Sequence, residues 1–192
     1  MVEQVNLLEL EYKYNADGIS LPAFIEFCNS LKPSKKVEVS SWDFYYTSLE
    51  KGKENHFLRF RQSDNAELTI KRKLSEANNW ERVEIDLPLE GTKLNESTVN
   101  KFVSLLNYKF NFKIFKSCFI YWFDNINIVY YVVYDSNLKE QGRFLEIEIN
   151  KDKVLDLVNP NSLLKFYEEK LKELNLKPAN RLKKSLFEIF VK

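Results

Sequence analysis

Charge at every second position, repeated in segment after segment, is the feature that most narrows how this chain can fold. In a β-strand successive side chains point to opposite faces. In Glu9-Leu10-Glu11-Tyr12-Lys13 the three charged residues therefore share one face, and Leu10 and Tyr12 share the other. Phe144-Leu145-Glu146-Ile147-Glu148 repeats the device near the opposite end of the chain. Between them, Arg59 and Arg61 oppose Leu58 and Phe60, and Lys71 and Lys73 oppose Leu68 and Ile70. Arg82, Glu84 and Asp86 oppose Val83, Ile85 and Leu87. Arg72 falls with the apolar set and is expected to snorkel outward.

These segments punctuate a chain of regular elements. A strand over 6–14 leads to a helix that Ser20 can cap and whose first turn accepts Pro22. Strands follow over 37–49, 57–62, 67–74 and 80–87, joined by turns rich in Gly, Asn, Asp and Ser, which reads as an antiparallel meander. A second helix is expected over 97–106, then strands over 110–123, 126–134 and 144–150. A third helix is expected over 162–174 and a fourth over 178–190. With 192 residues, 44% of them hydrophobic, and only 4 Gly and 5 Pro, the chain suits one domain of long elements. The expected class is α+β, with a long antiparallel sheet that curls or closes.

Several functions are excluded by what is missing. His56 is the only histidine and Cys28 and Cys118 lie far apart, so a zinc site or a histidine-based triad has no material. Two distant thiols suit a reducing compartment. The apolar stretch 118–134 is broken by Asp124, Asn125 and Asn127, which read as a hairpin turn and not a membrane span. No signal-peptide pattern opens the chain, so a soluble cytoplasmic protein is expected. The 29 basic and 28 acidic side chains nearly cancel, which leaves local segregation of charge as the informative quantity.

If every charged face met water, the result would be an ordinary one-sided sheet. If the sheet closes with those faces inward, the lumen is lined by cations and carboxylates, and the apolar faces pack under helices. A lumen of that kind calls for a ligand: cations would take phosphates, and four carboxylates would offer hard oxygen donors suited to Mg²⁺ or Mn²⁺ rather than zinc.

Glu9-Leu10-Glu11-Tyr12-Lys13 resembles the ExExK signature of CYTH proteins, the triphosphate tunnel metalloenzymes. Asp43-Phe44-Tyr45-Tyr46 is similar to that family's D-x-Y-aromatic strand, Leu58-Arg59-Phe60-Arg61 to its L-R-h-R (h being hydrophobic), and Leu68-Thr69-Ile70-Lys71 to its L-T-h-K. Arg82-Val83-Glu84-Ile85-Asp86 resembles R-x-E-x-E with a conservative last residue, and Gly142 to Glu148 resembles G-x-F-h-E-I-E. The motifs keep the family's order across residues 6–150.

The resemblance implies a closed or nearly closed eight-stranded antiparallel barrel, a triphosphate tunnel, with flanking helices. It implies metal ligation by Glu9, Glu11, Asp135, Glu146 and Glu148, with Mg²⁺ or Mn²⁺ as cofactor. Glu84 would join a second metal or position water, acting with Glu9, Glu11 and Lys13 in catalysis. Lys13, Arg59, Arg61, Lys71, Lys73, Arg82 and Lys116 would grip the phosphates. Many members carry Lys-x-Arg near Lys116, where this chain has Cys118; Arg181 or Lys184 could supply the missing contact. The implied reaction is hydrolysis of a linear triphosphate, inorganic or nucleoside. RNA 5′-triphosphate ends, thiamine triphosphate, ATP cyclisation and non-catalytic phosphate or nucleotide binding are the alternatives on the same fold.

Overall fold

The computed structural model describes residues 8–52, 56–73, 81–89, 95–150 and 159–191, with only the backbone described at Leu8, Lys73 and Glu81. The expected turn residues 53–55 and 77–79, and the strand ends Leu74 and Trp80, lie outside these.

The alternating segments do become strands: β1 (Leu8–Asn15), β2 (Lys35–Ser48), β3 (His56–Gln62), β4 (Ala66–Lys73), β5 (Glu81–Leu89), β6 (Tyr108–Trp122), β7 (Ile126–Tyr134) and β8 (Glu140–Ile149). They pair antiparallel in the order β1-β5-β4-β3-β2-β6-β7-β8, and β8 returns to β1 to close an eight-stranded barrel. Closure sets Glu11 opposite Glu148 and Lys13 opposite Glu146, while Glu9 lies opposite Arg82 on the other side of β1. The two acidic segments, over 130 residues apart in sequence, are therefore adjacent strands of one wall.

The charged faces turn inward. Glu9, Glu11, Lys13, Arg59, Lys71, Arg82, Glu84 and Lys116 are all buried. The apolar faces turn outward and three helices cover most of them. Helix α1 (Leu21–Ser30), capped by Ser20 as expected, buries Phe24, which stacks on Tyr130 with ring centroids 5.1 Å apart. Helix α2 (Glu96–Leu105) sets Val99 and Val103 over Phe44, Tyr46, Leu58 and Phe60. Helix α3 (Pro160–Lys170) adds Leu164 to the cluster around Leu145, Ile147 and Ile149. The cover is incomplete: Ile85 and Leu87, on the outer face of β5, are 47% and 55% exposed.

The expected fourth helix is much shorter. Pro178–Asn180 forms a single 3₁₀ turn, the chain then extends, and α4 spans only Leu186–Phe190. Extended backbone wins at Arg181 because β1 offers it partners: Tyr14 and Arg181 form a bridge, and the Leu182 N–H donates to the Lys13 carbonyl at 2.7 Å. Ser185 then restarts the helix by a capping box with Glu188. Among the described residues no helix is long and apolar enough to cross a membrane.

Candidate active site

The barrel interior holds a cavity of about 170 Å³ whose wall is divided. β1, β3, β4, β5 and β8 contribute most of the charge; β6 adds Lys116 and otherwise, with β7, contributes Cys118, Ile120, Val129 and Tyr131. At the end of the barrel where β1 finishes and β3 begins, α4 inserts Leu186 and Phe187. Phe187 stacks on Phe57 at 4.7 Å and 13° and lies near Tyr45 and Phe112. The lumen is therefore charged on one side and aromatic where it is plugged, whereas alternation alone suggested charge throughout.

Across the charged wall, acids and bases pair. Lys71 Nζ donates to Glu9 at 2.6 Å and also contacts Glu84. Arg82 reaches Glu11 at 2.6 Å, and Lys13 bridges Glu11 at 3.1 Å and Glu146 at 2.9 Å. The Tyr131 hydroxyl donates to Glu146 at 2.7 Å. Arg59 bonds Thr69 at 2.9 Å and Glu67 at 3.1 Å, with Glu84 3.8 Å away. Arg61 forks onto fully buried Asp43 at 2.8 and 2.9 Å, and Lys116 stands 3.5 Å from the same carboxylate, over the Tyr131 ring.

This pairing sets the protonation behaviour. Burial pushes the Glu11 carboxyl up, but Lys13 and Arg82 outweigh it and hold it well below the usual range. Asp43 is likewise held low, because Arg61 and Lys116 outweigh its burial. Glu9 goes the other way: burial and the neighbouring Glu84 and Glu11 outweigh Lys71 and raise it. Glu148 is pushed up to about 7 by burial and by Glu84 and Glu11.

Twelve of the thirteen residues expected at the site fall on the barrel's inward-facing register; Asp135 does not. It sits in the turn between β7 and β8, where its side chain accepts from the Asn137 and Lys139 N–H groups at 2.8 and 3.0 Å and from Gln141 at 3.0 Å. A carboxylate so engaged caps a turn and lies outside the lumen. Lys73 shares the Lys71 face by register, opposite Arg82, but its side chain lies outside the described residues. Arg181 and Lys184 do not replace the arginine that Cys118 displaces. Arg181 forks onto buried Glu168 and stacks over the Tyr12 ring at 3.6 Å, on the outer face of β1, and Lys184 is exposed.

Sequence reading missed Asp43 as the anchor of Arg61 and Lys116, and Tyr131 as the partner of Glu146. The first carried a signal, an acid at the inward parity of β2; the second did not, because beyond Asn127 the inward parity of β7 is Val129, Tyr131 and Val133, in a strand of aliphatic and aromatic residues.

For a divalent metal, the donor chemistry fits: Glu9, Glu11, Glu146 and Glu148 line one cavity from adjoining strands, and Glu9 Oε2 is buried with no hydrogen-bond partner among the described residues. Among the described residues, a lysine, arginine or tyrosine engages Glu9, Glu11 and Glu146, and no three acidic groups meet at one point.

No family model matches the sequence and no curated protein matches it. Solved structures do. The PH1012 protein of Pyrococcus horikoshii OT3 superposes with a TM-score of 0.70 at 19% identity, covering 96% of this chain and 99% of that one. A Vibrio parahaemolyticus protein named as a candidate adenylate cyclase gives 0.64 at 16% identity, with 96% and 98% covered. A chain of the Schizosaccharomyces pombe Mediator head module gives 0.58 at 13%, with 96% of each covered. At these identities the likeness is one of fold, and the chain shares with them the closed barrel that its resemblance to triphosphate tunnel proteins led us to expect.

Proposed function

We propose that this protein is a CYTH-type, divalent-metal-dependent hydrolase of linear triphosphates. The observation that carries this reading is the divided charged wall: Arg59, Lys71 and Arg82 buried and Arg61 half-buried on β3, β4 and β5, facing the carboxylate pairs of β1 and β8. Buried charge on this scale is costly in a purely structural role. Guanidinium forks match phosphate oxygens in pairs, and the lysines act as point charges between phosphates. Glu9, Glu11, Glu146 and Glu148 would hold Mg²⁺ or Mn²⁺. The metal, when bound, supplies charge neutralisation and an acidified water.

The chain's own residues do the rest. Lys71, which bridges Glu9 and Glu84, and Lys13, which bridges Glu11 and Glu146, would place their ammonium groups on phosphate oxygens. Arg59, Arg61, Arg82 and Lys116 orient the phosphate chain for in-line attack on its terminal phosphorus. Glu84, beside Lys71 and near Arg59, accepts a hydrogen bond from the attacking water and positions it. The Phe187 plug keeps bulk water from that end of the lumen.

The test is phosphate release from inorganic triphosphate and ATP with Mg²⁺ or Mn²⁺. Glu9→Gln should abolish turnover while the folded state survives, and full release by this variant in a chelator would sink the reading. ATP cyclisation, suggested by the description of the Vibrio neighbour, would instead yield pyrophosphate and cyclic AMP. A second reading, an anion-binding module without turnover, is favoured by the ion pairs that already engage Glu9, Glu11 and Glu146. It predicts tight, metal-independent anion binding and no product.

A further inference from the structure

Helix α2 carries more apolar surface than the barrel covers. Val99 and Val103 pack on Phe44, Tyr46, Leu58 and Phe60, but Phe102, Leu105 and Leu106 stay exposed. Asn107, at φ 60°, then turns the chain directly into β6. Asparagine accepts that left-handed conformation more readily than most residues, and the turn sets Leu105 and Leu106 at the rim of the barrel. Leu49, just past the end of β2, joins them there, because its N–H donates to the Asn107 carbonyl at 2.8 Å. Phe110 continues the surface onto the outer wall, its ring edge-on to Tyr46 at 5.8 Å. Leu105 is 83% exposed and Leu49 64%, values that leave these side chains standing clear of the protein. Lys51, Lys101 and Lys109 are exposed among them, and Glu50 is the one acid within 49–51 and 101–110. We propose that this rim is a peripheral membrane-binding surface selective for anionic lipid.

Shape and charge both favour a lipid surface over a protein partner. The apolar side chains project from a helix end and a strand end, and a fluid apolar phase closes around separate projections without a matching shape. Contiguous exposed apolar surface on this scale marks an interaction site. The cations around it are all lysine, a residue depleted at protein–protein interfaces, whereas lysines beside an apolar patch attract anionic headgroups. The dimensions also agree. Phe102 lies about 4.5 Å from Leu105 along the helix axis, within the roughly 5–10 Å to which an interfacial apolar face penetrates. The supports are fixed in advance: the Tyr46 hydroxyl donates to Asn100 at 2.8 Å, and the Asn111 side chain donates to Thr47 at 2.8 Å. A surface presented on rigid elements lowers the ordering cost of docking.

The experiment is co-sedimentation of the full chain with two kinds of vesicle: phosphatidylcholine alone, and phosphatidylcholine with about one third phosphatidylserine. We expect binding to the anionic vesicles about tenfold tighter than to the neutral ones, and weaker as salt is added. Leu105→Ser removes one inserted side chain and should lower that affinity by about tenfold. Lys101→Ala and Lys109→Ala should each lower it by about fivefold, with little effect on the neutral vesicles. All three positions are exposed, and an unchanged urea midpoint checks that the variants fold. Equal binding to the two vesicle types, or anionic-vesicle binding that none of the variants weakens, would overturn the proposal. Protein that stays in the supernatant with both vesicles would overturn it too. A dimer in sedimentation velocity that Leu105→Ser dissociates would then identify a second copy as what covers the rim. The triphosphate reading stands or falls separately, because none of the altered residues lines the lumen.

Discussion

In metal-free protein, Glu148→Gln is expected to raise stability. Glu148 is half-buried and sits beside Glu84 and Glu11, which together with burial lift its carboxyl from 4.5 to about 7. The folded state therefore holds a proton that the unfolded chain has released. Unfolded Glu148 ionises near pH 4.5, so its contribution to stability is fully present below that pH and is lost as pH rises through about 7. A displacement of that size corresponds to about 3 kcal/mol. Screening of a half-buried group by solvent reduces this to about 1–2 kcal/mol. Glutamine keeps the shape and removes the charge, so in a chelator the variant's advantage should be absent near pH 4, grow between about pH 4.5 and 7, and level off above. Urea unfolding at about pH 4, 6 and 8 measures it as a difference in midpoint at unchanged slope. Added Mn²⁺ should reverse the order, because a ligand at a hundred times its Kd stabilises by about 2.7 kcal/mol and only the glutamate form gains it in full. A glutamine variant no more stable than the parent at about pH 8 in chelator would refute the like-charge argument.

Other perturbations follow from the same geometry. Asp43→Asn strips the buried anion from Arg61 and Lys116, and should cost about 3–5 kcal/mol in chemical unfolding; a loss under about 1 kcal/mol would mean that the two cations are satisfied elsewhere. Glu168→Ala leaves Arg181 and Tyr14 without their acceptor, and should cost about 3 kcal/mol and open the segment after Pro178 to limited proteolysis, while Glu168→Gln should restore part of the protection. Unchanged protease resistance of the alanine variant would show that the segment is held by other contacts. Removal of divalent metal should abolish phosphate release, with Mg²⁺ or Mn²⁺ restoring it; full turnover in a chelator would contradict ligation by Glu9, Glu11, Glu146 and Glu148.

Period-two alternation determined much of this architecture before any coordinates. It assigned each charged residue of β1, β3, β4, β5 and β8 to a face, because side chains on a pleated strand have no other choice. Local signals also placed α1 correctly, through Ser20 and Pro22. Those inferences needed only neighbours in sequence. They failed where a distant partner competed with local preference. The stretch after Pro178 carries helix-compatible residues, yet β1 offers Arg181 and Leu182 a strand edge and Glu168 offers a buried anion, so the chain extends. Asp135, expected from the resemblance and not from alternation, is lost to a local competitor: the Asn137 and Lys139 N–H groups of its own turn claim its oxygens.

What alternation cannot say is whether a charged face meets water or a lumen, since both give the same pattern along the chain. Only closure through the β8–β1 pairing decided that, by bringing Glu11 against Glu148 and Lys13 against Glu146. Tertiary structure likewise decided that the lumen has two kinds of wall. Beyond Asn127, β7 is aliphatic or aromatic on both faces, so nothing in its own residues marks Tyr131 as the donor to Glu146. The residue types and their parity are written locally; their meeting is a property of strand order, and strand order is set by pairing between segments that the sequence keeps far apart.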